Sequence, residues 1–398
     1  MIFSTYWFLT FLVFFLPVYY LAAGHPRIRL AWLLAGSALF HAHFAGPAGM
    51  LPVLLLGVVV YFLGKSSRPA AHAAGILLSV AALLFYKYTL FLIPNIVRPL
   101  FPDLALLLEK EAVRLLPSAP PLAISFFVFE FVHYLVDRRR GQPPIGRPAE
   151  FALFAIFFPT LVAGPIKRYE SFLPALRQGL QRSSANDVVA GLLQTALGFG
   201  KKLLADNLTQ WIEGRESFLA NSGLDTRWSF LAALGFRILL DFSGYSDIAI
   251  GIARIMGIRI PANFNWPYLA TNLRDFWQRW HISLSSWIRD YVYIPLGGNR
   301  LGAPRQMVNG LIAFALCGLW HGAAWNFVAW GVYHGAGLAW THAYRQIPGM
   351  GAPVGIFFDR NPWAGWAATL LYVWFGWLLF FYPPAQAWEM FRLLWIPG

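Results

Sequence analysis

The chain has 398 residues, of which 58% are hydrophobic and only 12% are charged, and its mean hydropathy is +0.53. Because soluble domains usually carry about a quarter of charged residues, this composition excludes a soluble protein and indicates an integral membrane protein. The net charge of +13 does not indicate nucleic-acid binding, since the basic residues gather in short loops between apolar runs, as they do on the cytoplasmic side of membrane proteins.

Long apolar runs predict the fold class. They lie at residues 5–23, 30–46, 48–64, 72–94, 122–136, 186–212, 227–257, 307–345 and 364–382. Most reach the roughly 20 residues that a spanning helix needs, and none shows the alternation of a barrel strand. We therefore predict an all-α, multi-span membrane protein. Since we find no internal repeat, low-complexity segment or long linker, we expect a single domain over residues 1–398.

The charged loops predict the orientation in the membrane. With the N-terminus outside, the basic loops at residues 25–29, 65–68 and 137–147 lie in the cytoplasm, and the longer loop at residues 98–121 lies outside. The first run ends in a sequence similar to a signal-peptide cleavage site, Leu21-Ala-Ala-Gly24. No Lys or Arg precedes it and its apolar stretch of about 19 residues is too long, so we expect a retained first helix.

Two histidines follow in the second run, His41 and His43. This His-x-His pattern is a weak indication of a metal site without a third ligand nearby, and we expect no metal.

The segment at residues 151–166 is short, contains two prolines and has basic residues on both flanks. Two cytoplasmic flanks predict a re-entrant segment rather than a span. Non-helical backbone survives at membrane depth only where protein buries it or where it lines a water-filled cavity, so the segment indicates a cavity.

Arg237 and Asp241 are four residues apart within an apolar run. The spacing predicts an ion pair on one helix face, with a proton relay as the alternative.

Residues 272–292 are too polar to span the membrane, but they separate on a helical wheel. One side holds Arg274, Gln278, His281, Ser285 and Arg289. The opposite side holds Leu273, Phe276, Trp277, Trp280, Leu284, Trp287, Ile288 and Tyr291. The pattern predicts one amphipathic helix lying flat at the cytoplasmic interface, with its tryptophans at headgroup depth.

The run at residues 307–345 would extend to about 60 Å as one helix, roughly twice the hydrocarbon thickness. We predict a break at residues 320–326 that makes two spans and places His321 in a constricted position, with Asn326 and His334 as the nearest polar residues.

His321 is the strongest candidate for chemistry, because an ionisable side chain in an apolar segment is costly unless it has a function. An imidazole is the usual general base near neutral pH and suits the deprotonation of a hydroxyl. Cys317, the only cysteine, lies four residues earlier on the same helix face. A Cys–His nucleophile is one interpretation, and a buried packing cysteine is the commoner one.

Short motifs in a fixed order extend over essentially the whole chain. They are Ile124-Ser-Phe-Phe, Tyr134-Leu-Val-Asp137, Gly164-Pro-Ile, Arg168-Tyr169, Gly200-Lys-Lys, Ala205-Asp-Asn207, Asp241-Phe-Ser-Gly-Tyr-Ser-Asp247, Asn263-Phe-Asn265, Pro267-Tyr268, Asp275-Phe-Trp-Gln-Arg-Trp-His-Ile-Ser-Leu-Ser285, Arg289-Asp-Tyr291, Leu296-Gly-Gly-Asn-Arg300 and Leu319-Trp-His-Gly322. This set resembles the membrane-bound O-acyltransferase family, in particular the bacterial branch that acylates extracytoplasmic polymers such as alginate and teichoic acids.

The resemblance implies a ring of tilted helices around a central passage, with re-entrant and interfacial helices. It also implies that the family's essential histidine is His321 and that its second histidine is His281. The residues expected on the donor side or along the passage are Gln278, Arg279, Ser285, Trp280, Trp320 and Asn326.

The expected activity is the transfer of an acyl group, expected to be acetyl, from a cytoplasmic thioester to a hydroxyl of an extracytoplasmic polysaccharide or of a partner relay protein. The donor is acetyl-CoA or an acyl-carrier protein, and no bound cofactor is expected. We expect a bacterial inner-membrane location, contact with membrane lipid, a periplasmic or membrane-anchored accessory protein, and no nucleic acid. The alternatives are D-alanyl or long-chain acyl transfer to a cell-envelope polymer or lipid, and a non-enzymatic transporter.

Overall fold

The computed structural model of the chain describes residues 2–117, 119–300, 302–344 and 351–396. Within these ranges every regular element is a helix, which confirms the all-α prediction. The helices up to residue 216 are α1 (Tyr6–Leu21), α2 (Pro26–Lys65), α3 (Pro69–Leu100), α4 (Pro102–Leu115), α5 (Ile124–Arg139), α6 (Pro148–Ile156), α7 (Tyr169–Gln181) and α8 (Ala185–Glu216). They are followed by α9 (Leu224–Ile255), α10 (Leu273–Arg279), α11 (Ile282–Ile288), α12 (Ala303–His321), α13 (Trp325–Ala343), α14 (Gly351–Arg360), α15 (Pro362–Phe381) and α16 (Pro384–Leu393).

Four of these helices, α2, α3, α8 and α15, are long and apolar enough to cross a membrane. Helix α2 is interrupted at Gly46, where φ is 64° and ψ is 172°. Glycine tolerates this positive φ, and the following Pro47 cannot continue the hydrogen-bond ladder of the preceding turn. The predicted runs at residues 30–46 and 48–64 are therefore two helical segments that meet at Gly46.

The helices form two compact units. The first comprises Met1–Gly198 and Tyr245–Pro261, and the second comprises Phe199–Gly244 and Ala262–Gly398. Helices α8 and α9 each contribute residues to both. The expectation of a single domain over residues 1–398 stays a prediction.

Buried charges hold the first unit together. The Arg29 guanidinium is buried and donates to the carbonyls of Tyr19 at 3.1 Å and Gly179 at 3.4 Å, so it ties α2 to α1 and α7. Lys167 and Glu130 form an ion pair of 2.6 Å, and both side chains are almost fully buried. The segment after α6 is thereby attached to α5.

The predicted re-entrant segment is short and irregular. Helix α6 ends at Ile156, a 3₁₀ turn follows at Phe158–Thr160, and the chain to Arg168 is not helical. Nearly all of its side chains are buried, and the Phe158 N–H donates to the Ser37 hydroxyl at 3.3 Å. The segment is too short to span, and its return to the cytoplasmic side stays a prediction.

In the second unit, α12 and α13 form a tight hairpin. Glycines allow their backbones to approach closely: a Cβ on Gly318 would overlap the Phe327 carbonyl, and one on Gly331 would overlap the Phe314 carbonyl. The chain leaves α12 at His321 and enters α13 at Trp325. The predicted break within residues 320–326 is confirmed.

The prediction of one continuous helix through residues 272–292 is wrong. Helix α10 ends at Arg279, α11 begins at Ile282, and a π turn follows at Arg289–Tyr293. The break changes the direction of α11 relative to α10, so a single helical wheel does not describe the segment. Trp277, Trp280 and Trp287 are buried within the protein and pack against other side chains, and the headgroup depth predicted for them stays a prediction.

The prediction of an ion pair between Arg237 and Asp241 is wrong as well. Asp241 pairs with Lys202 of α8 at 2.9 Å, and its side chain is 49% exposed. The Arg237 guanidinium lies over the ring of Phe381, 4.9 Å from its centroid. Lys202 was missed because the partner comes from another helix and not from the same helix face.

Candidate active site

The break between α10 and α11 determines the position of His281. This residue has φ 42° and ψ 55°, in the left-handed region that side chains other than glycine rarely adopt. Two backbone hydrogen bonds flank it: the Asn265 N–H donates to the Arg279 carbonyl, and the Ile282 N–H donates to the Asn263 carbonyl, both at 2.9 Å. Such a conformation costs on the order of 1 kcal/mol or more, and residues held in it cluster at functional sites.

The side chain of Asn263 contacts the same histidine. Its Oδ1 lies 3.2 Å from Nδ1 of His281 and accepts hydrogen bonds from the Ser283 backbone N–H at 3.1 Å and from the Ser283 hydroxyl at 2.8 Å. Asn263 is itself buried. The loop that precedes α10 therefore holds both the backbone and the imidazole of His281.

The environment of His281 keeps its imidazole neutral. The side chain is fully buried and lies outside the four helices that could cross a membrane. Burial lowers the pKa of His281 well below its usual value, and the electrostatic influence of His321 lowers it further. A neutral imidazole can take up a proton during a reaction.

His321 is the last residue of α12, where the chain leaves the helix through the extended residue Gly322. Its half-buried ring contacts three aromatic side chains, with centroid distances of 4.7 Å to Trp320, 5.2 Å to Trp330 and 5.1 Å to Phe380. Gly322 is needed at this exit, because a Cβ there would overlap the ring of Phe327.

Trp320 connects the two predicted catalytic histidines. Its indole lies 6.1 Å from the imidazole of His281 and 4.7 Å from that of His321, between ring centroids. The structure thus brings together the two histidines that were predicted from distant parts of the sequence.

Trp280 and Asn326 belong to the same surroundings. Trp280 is buried and lies 4.9 Å from the ring of Trp377, which is 5.8 Å from that of Phe380. The Asn326 amide donates to the Phe380 carbonyl at 3.1 Å, so it fixes the segment that carries this ring. Both side chains support the walls around His321.

Of the other three predicted site residues, Ser285 contacts His281 through the backbone, because its N–H donates to the His281 carbonyl at 2.9 Å. Gln278 is exposed on α10. Arg279 pairs with Asp275 of the same helix at 2.7 Å. The Ser285 hydroxyl donates to the Trp280 carbonyl at 3.1 Å, a bond that spans the break between α10 and α11.

Sequence reasoning missed the partners of the two histidines. Asn263 was part of a motif but had no assigned role, and neither Trp330 nor Phe380 was assigned one. The only sequence feature that pointed to Asn263 was its polar side chain in the loop before residues 272–292. Trp330 and Phe380 come from other helices, so nothing in their local sequence points to His321.

The chemistry available to these side chains is proton transfer in surroundings of aromatic rings. Within the described ranges, no group of three or more His, Cys, Asp or Glu residues could hold a metal ion. Cys317 is a buried free cysteine, which agrees with a packing role. His334 is fully buried among aromatic rings, including those of Trp277 and Trp330.

Comparisons with known proteins agree with these features. The model of the membrane-bound O-acyltransferase family matches residues 145–383. A peptidoglycan O-acetyltransferase of Helicobacter pylori is 31% identical over 93% of this chain and 75% of its own length. A probable alginate O-acetylase of Pseudomonas aeruginosa is 32% identical over 99% of this chain and 75% of its own length.

A teichoic acid D-alanyltransferase of Bacillus subtilis is 32% identical over 58% of this chain and 65% of its own length. The family match includes the irregular segment at residues 151–166, His281 and His321, and the aromatic residues around these two histidines. The chain is therefore a multi-pass membrane O-acyltransferase and belongs to the membrane-bound O-acyltransferase family.

Proposed function

We propose that the protein transfers an acetyl group from a cytoplasmic thioester to a hydroxyl of an extracytoplasmic polysaccharide of the cell envelope. The observation that carries this proposal is the contact of His281 and His321 with the same indole, that of Trp320. The relatives that cover nearly the whole chain are named as O-acetyltransferases of peptidoglycan and alginate, which supports acetyl over D-alanyl as the group transferred.

In the proposed reaction His321 is the general base. The acceptor hydroxyl oxygen attacks the carbonyl carbon of the thioester while His321 takes the hydroxyl proton, and the carbon–sulfur bond breaks. The proton then passes from His321 to the leaving thiolate, so the imidazole ends the cycle neutral. A positioned base of this kind contributes on the order of 10² to 10⁴ in rate.

The remaining residues take supporting roles in this proposal. The rings of Trp320, Trp330 and Phe380 surround His321 and keep water from competing with the acceptor hydroxyl. Gln278, which is exposed, and Arg279, which is half-buried, form part of the donor-side mouth. The acceptor reached first is the polysaccharide itself or a hydroxyl of an accessory periplasmic or membrane-anchored protein that relays the acetyl group.

The donor and acceptor are identified by one assay. The purified protein in lipid nanodiscs is given isotope-labelled acetyl-CoA, acetylated carrier protein, D-alanylated carrier protein or a long-chain acyl-CoA, with polysaccharide or a candidate relay protein as acceptor. Mass spectrometry of the products should show acetyl transfer from one of the two acetyl donors, and His321→Gln should show none. Transport of a labelled solute without cleavage of any thioester would overturn the proposal.

The proposed orientation places α10 and α11 on the cytoplasmic side of a bacterial inner membrane. Arg274 and Arg289 are both exposed, so cysteines introduced there can react with a label. In a Cys317→Ala background both should react from the cytoplasmic side in inside-out vesicles and neither should react in right-side-out vesicles. Labelling of the two positions from opposite sides would contradict the orientation.

A further inference from the structure

The amide of Asn263 makes three contacts through a single atom. This Oδ1 receives the backbone N–H of Ser283, the hydroxyl of Ser283 and Nδ1 of His281, at 3.1, 2.8 and 3.2 Å. Asn263 and His281 are both almost completely buried, so water does not compete for these contacts.

The Ser283 backbone N–H identifies that atom as oxygen. A backbone N–H can only donate, so its partner must be the amide oxygen of Asn263 and not the amide nitrogen. An amide oxygen can only accept. The nitrogen of His281 that faces it must therefore carry a hydrogen, which places the proton of the neutral imidazole on Nδ1.

We propose that Asn263 is a positioning residue that fixes His281 in the Nδ1-protonated tautomer and leaves Nε2 with its lone pair. This inference rests on the proposed function, in which His281 acts beside His321. At Nε2 the imidazole can accept a hydrogen bond or a proton, but it cannot donate one. His281 is thereby excluded as the hydrogen-bond donor to the oxyanion that develops on the thioester carbonyl.

The left-handed backbone of His281 supports the same assignment. The hydrogen bond from the Ile282 N–H to the Asn263 carbonyl fixes the main chains of the two loops against each other. The side chain of Asn263 then holds the imidazole. Backbone and side chain of one residue thus determine both the place and the tautomer of His281, as expected of a group that orients a reacting histidine.

The tautomer is measured directly by solid-state nuclear magnetic resonance of the full-length protein with ¹⁵N-labelled histidine in lipid. The signals of His281 are assigned by their loss in His281→Asn. We expect a protonated Nδ1 and an unprotonated Nε2 near neutral pH. A protonated Nε2 would overturn the inference and leave the proposed function standing.

Two variants test the link to catalysis. Asn263→Asp keeps an accepting oxygen for Nδ1 and should retain the tautomer and most of kcat. Asn263→Leu has nearly the same size but no acceptor, and it should lower kcat on the order of 10- to 100-fold with KM for the thioester nearly unchanged. Asn221→Leu, the same change at an exposed position in the turn before α9, is the matched control and should behave as the wild type.

The outcomes separate the two proposals. If Asn263→Leu folds poorly, the resonance experiment on the wild type still decides the tautomer. An equal loss in the Asp and Leu variants, or a rise in KM alone, would contradict a positioning role. Unchanged activity of His281→Asn would instead show that His281 does not take part, and would leave the tautomer assignment intact.

Discussion

The imidazole of His281 packs against the indole of Trp320, with 6.1 Å between the ring centroids. Trp320 immediately precedes His321, so this contact joins the break between α10 and α11 to the end of α12. A bulky aromatic ring in this place keeps the two imidazoles in surroundings of low polarity. Interactions between charges are stronger in such surroundings than in water, so a proton transfer to either imidazole changes the local electrostatic energy more.

Burial of His281 makes the stability of the fold dependent on pH. Its pKa in the folded protein is depressed, whereas in the unfolded chain it is about 6.5. The unfolded state therefore binds the additional proton as the pH falls below about 6.5, and the folded state loses stability there. His281→Asn, which tolerates the left-handed backbone, removes this contribution.

We expect the thermal unfolding midpoint to be lower at pH 5.5 than at pH 7.5. This decrease should be smaller in His281→Asn than in the wild type. The difference is at most about 1.4 kcal/mol for each pH unit, the value for one proton. Thermal unfolding in detergent, followed by tryptophan fluorescence, measures it. Identical pH profiles for the two proteins would contradict a neutral buried imidazole.

The buried ion pair of Glu130 with Lys167 should contribute more to stability than the half-exposed pair of Asp241 with Lys202. Glu130→Gln removes one charge from a buried pair and leaves Lys167 without its partner, which costs about 3–5 kcal/mol. Asp241→Asn breaks a half-exposed pair with Lys202 and should cost about 0–1 kcal/mol. The amount of folded protein in membranes and the unfolding midpoint should fall in the first variant only. Equal losses in both would show that exposure does not control these pairs.

Arg227 anchors the end of the described chain. The buried guanidinium donates to the carbonyls of Leu219, Ala220, Leu393 and Ile396, at 2.7–3.1 Å. One hydrogen bond to a charged group contributes about 1.5–3 kcal/mol, so Arg227→Leu should lower stability by at least that amount.

Limited proteolysis of Arg227→Leu should cleave near α16 at protease concentrations that leave the wild type intact. Arg215→Leu is the control, because Arg215 is exposed and its contacts among the described residues are with the carbonyl and the ring of Trp211 in its own helix. Equal resistance of the two variants to the protease would be evidence against the anchoring role.

The sequence predicted the helices and the break after His321 correctly, because hydrophobic length and local backbone preference act over a few residues. It failed where a partner came from elsewhere in the chain. The break at His281 depends on hydrogen bonds that Asn263 accepts and that the Asn265 N–H donates, which a helical wheel does not contain. The pairing of Asp241 with Lys202 likewise depends on a second helix. Local pattern therefore predicted the elements, while tertiary contacts determined the geometry of the candidate site.

The proposed reaction depends on His321 as its general base. The most direct measurement is the single-turnover rate of acetyl transfer by His321→Gln, with membrane levels matched to the wild type and His334→Gln as the control. We expect His321→Gln to lose on the order of 10² to 10⁴ in rate while it still binds the thioester, and His334→Gln to stay within about tenfold of the wild type. A near-normal rate in His321→Gln would contradict the assignment of the base and the mechanism built on it.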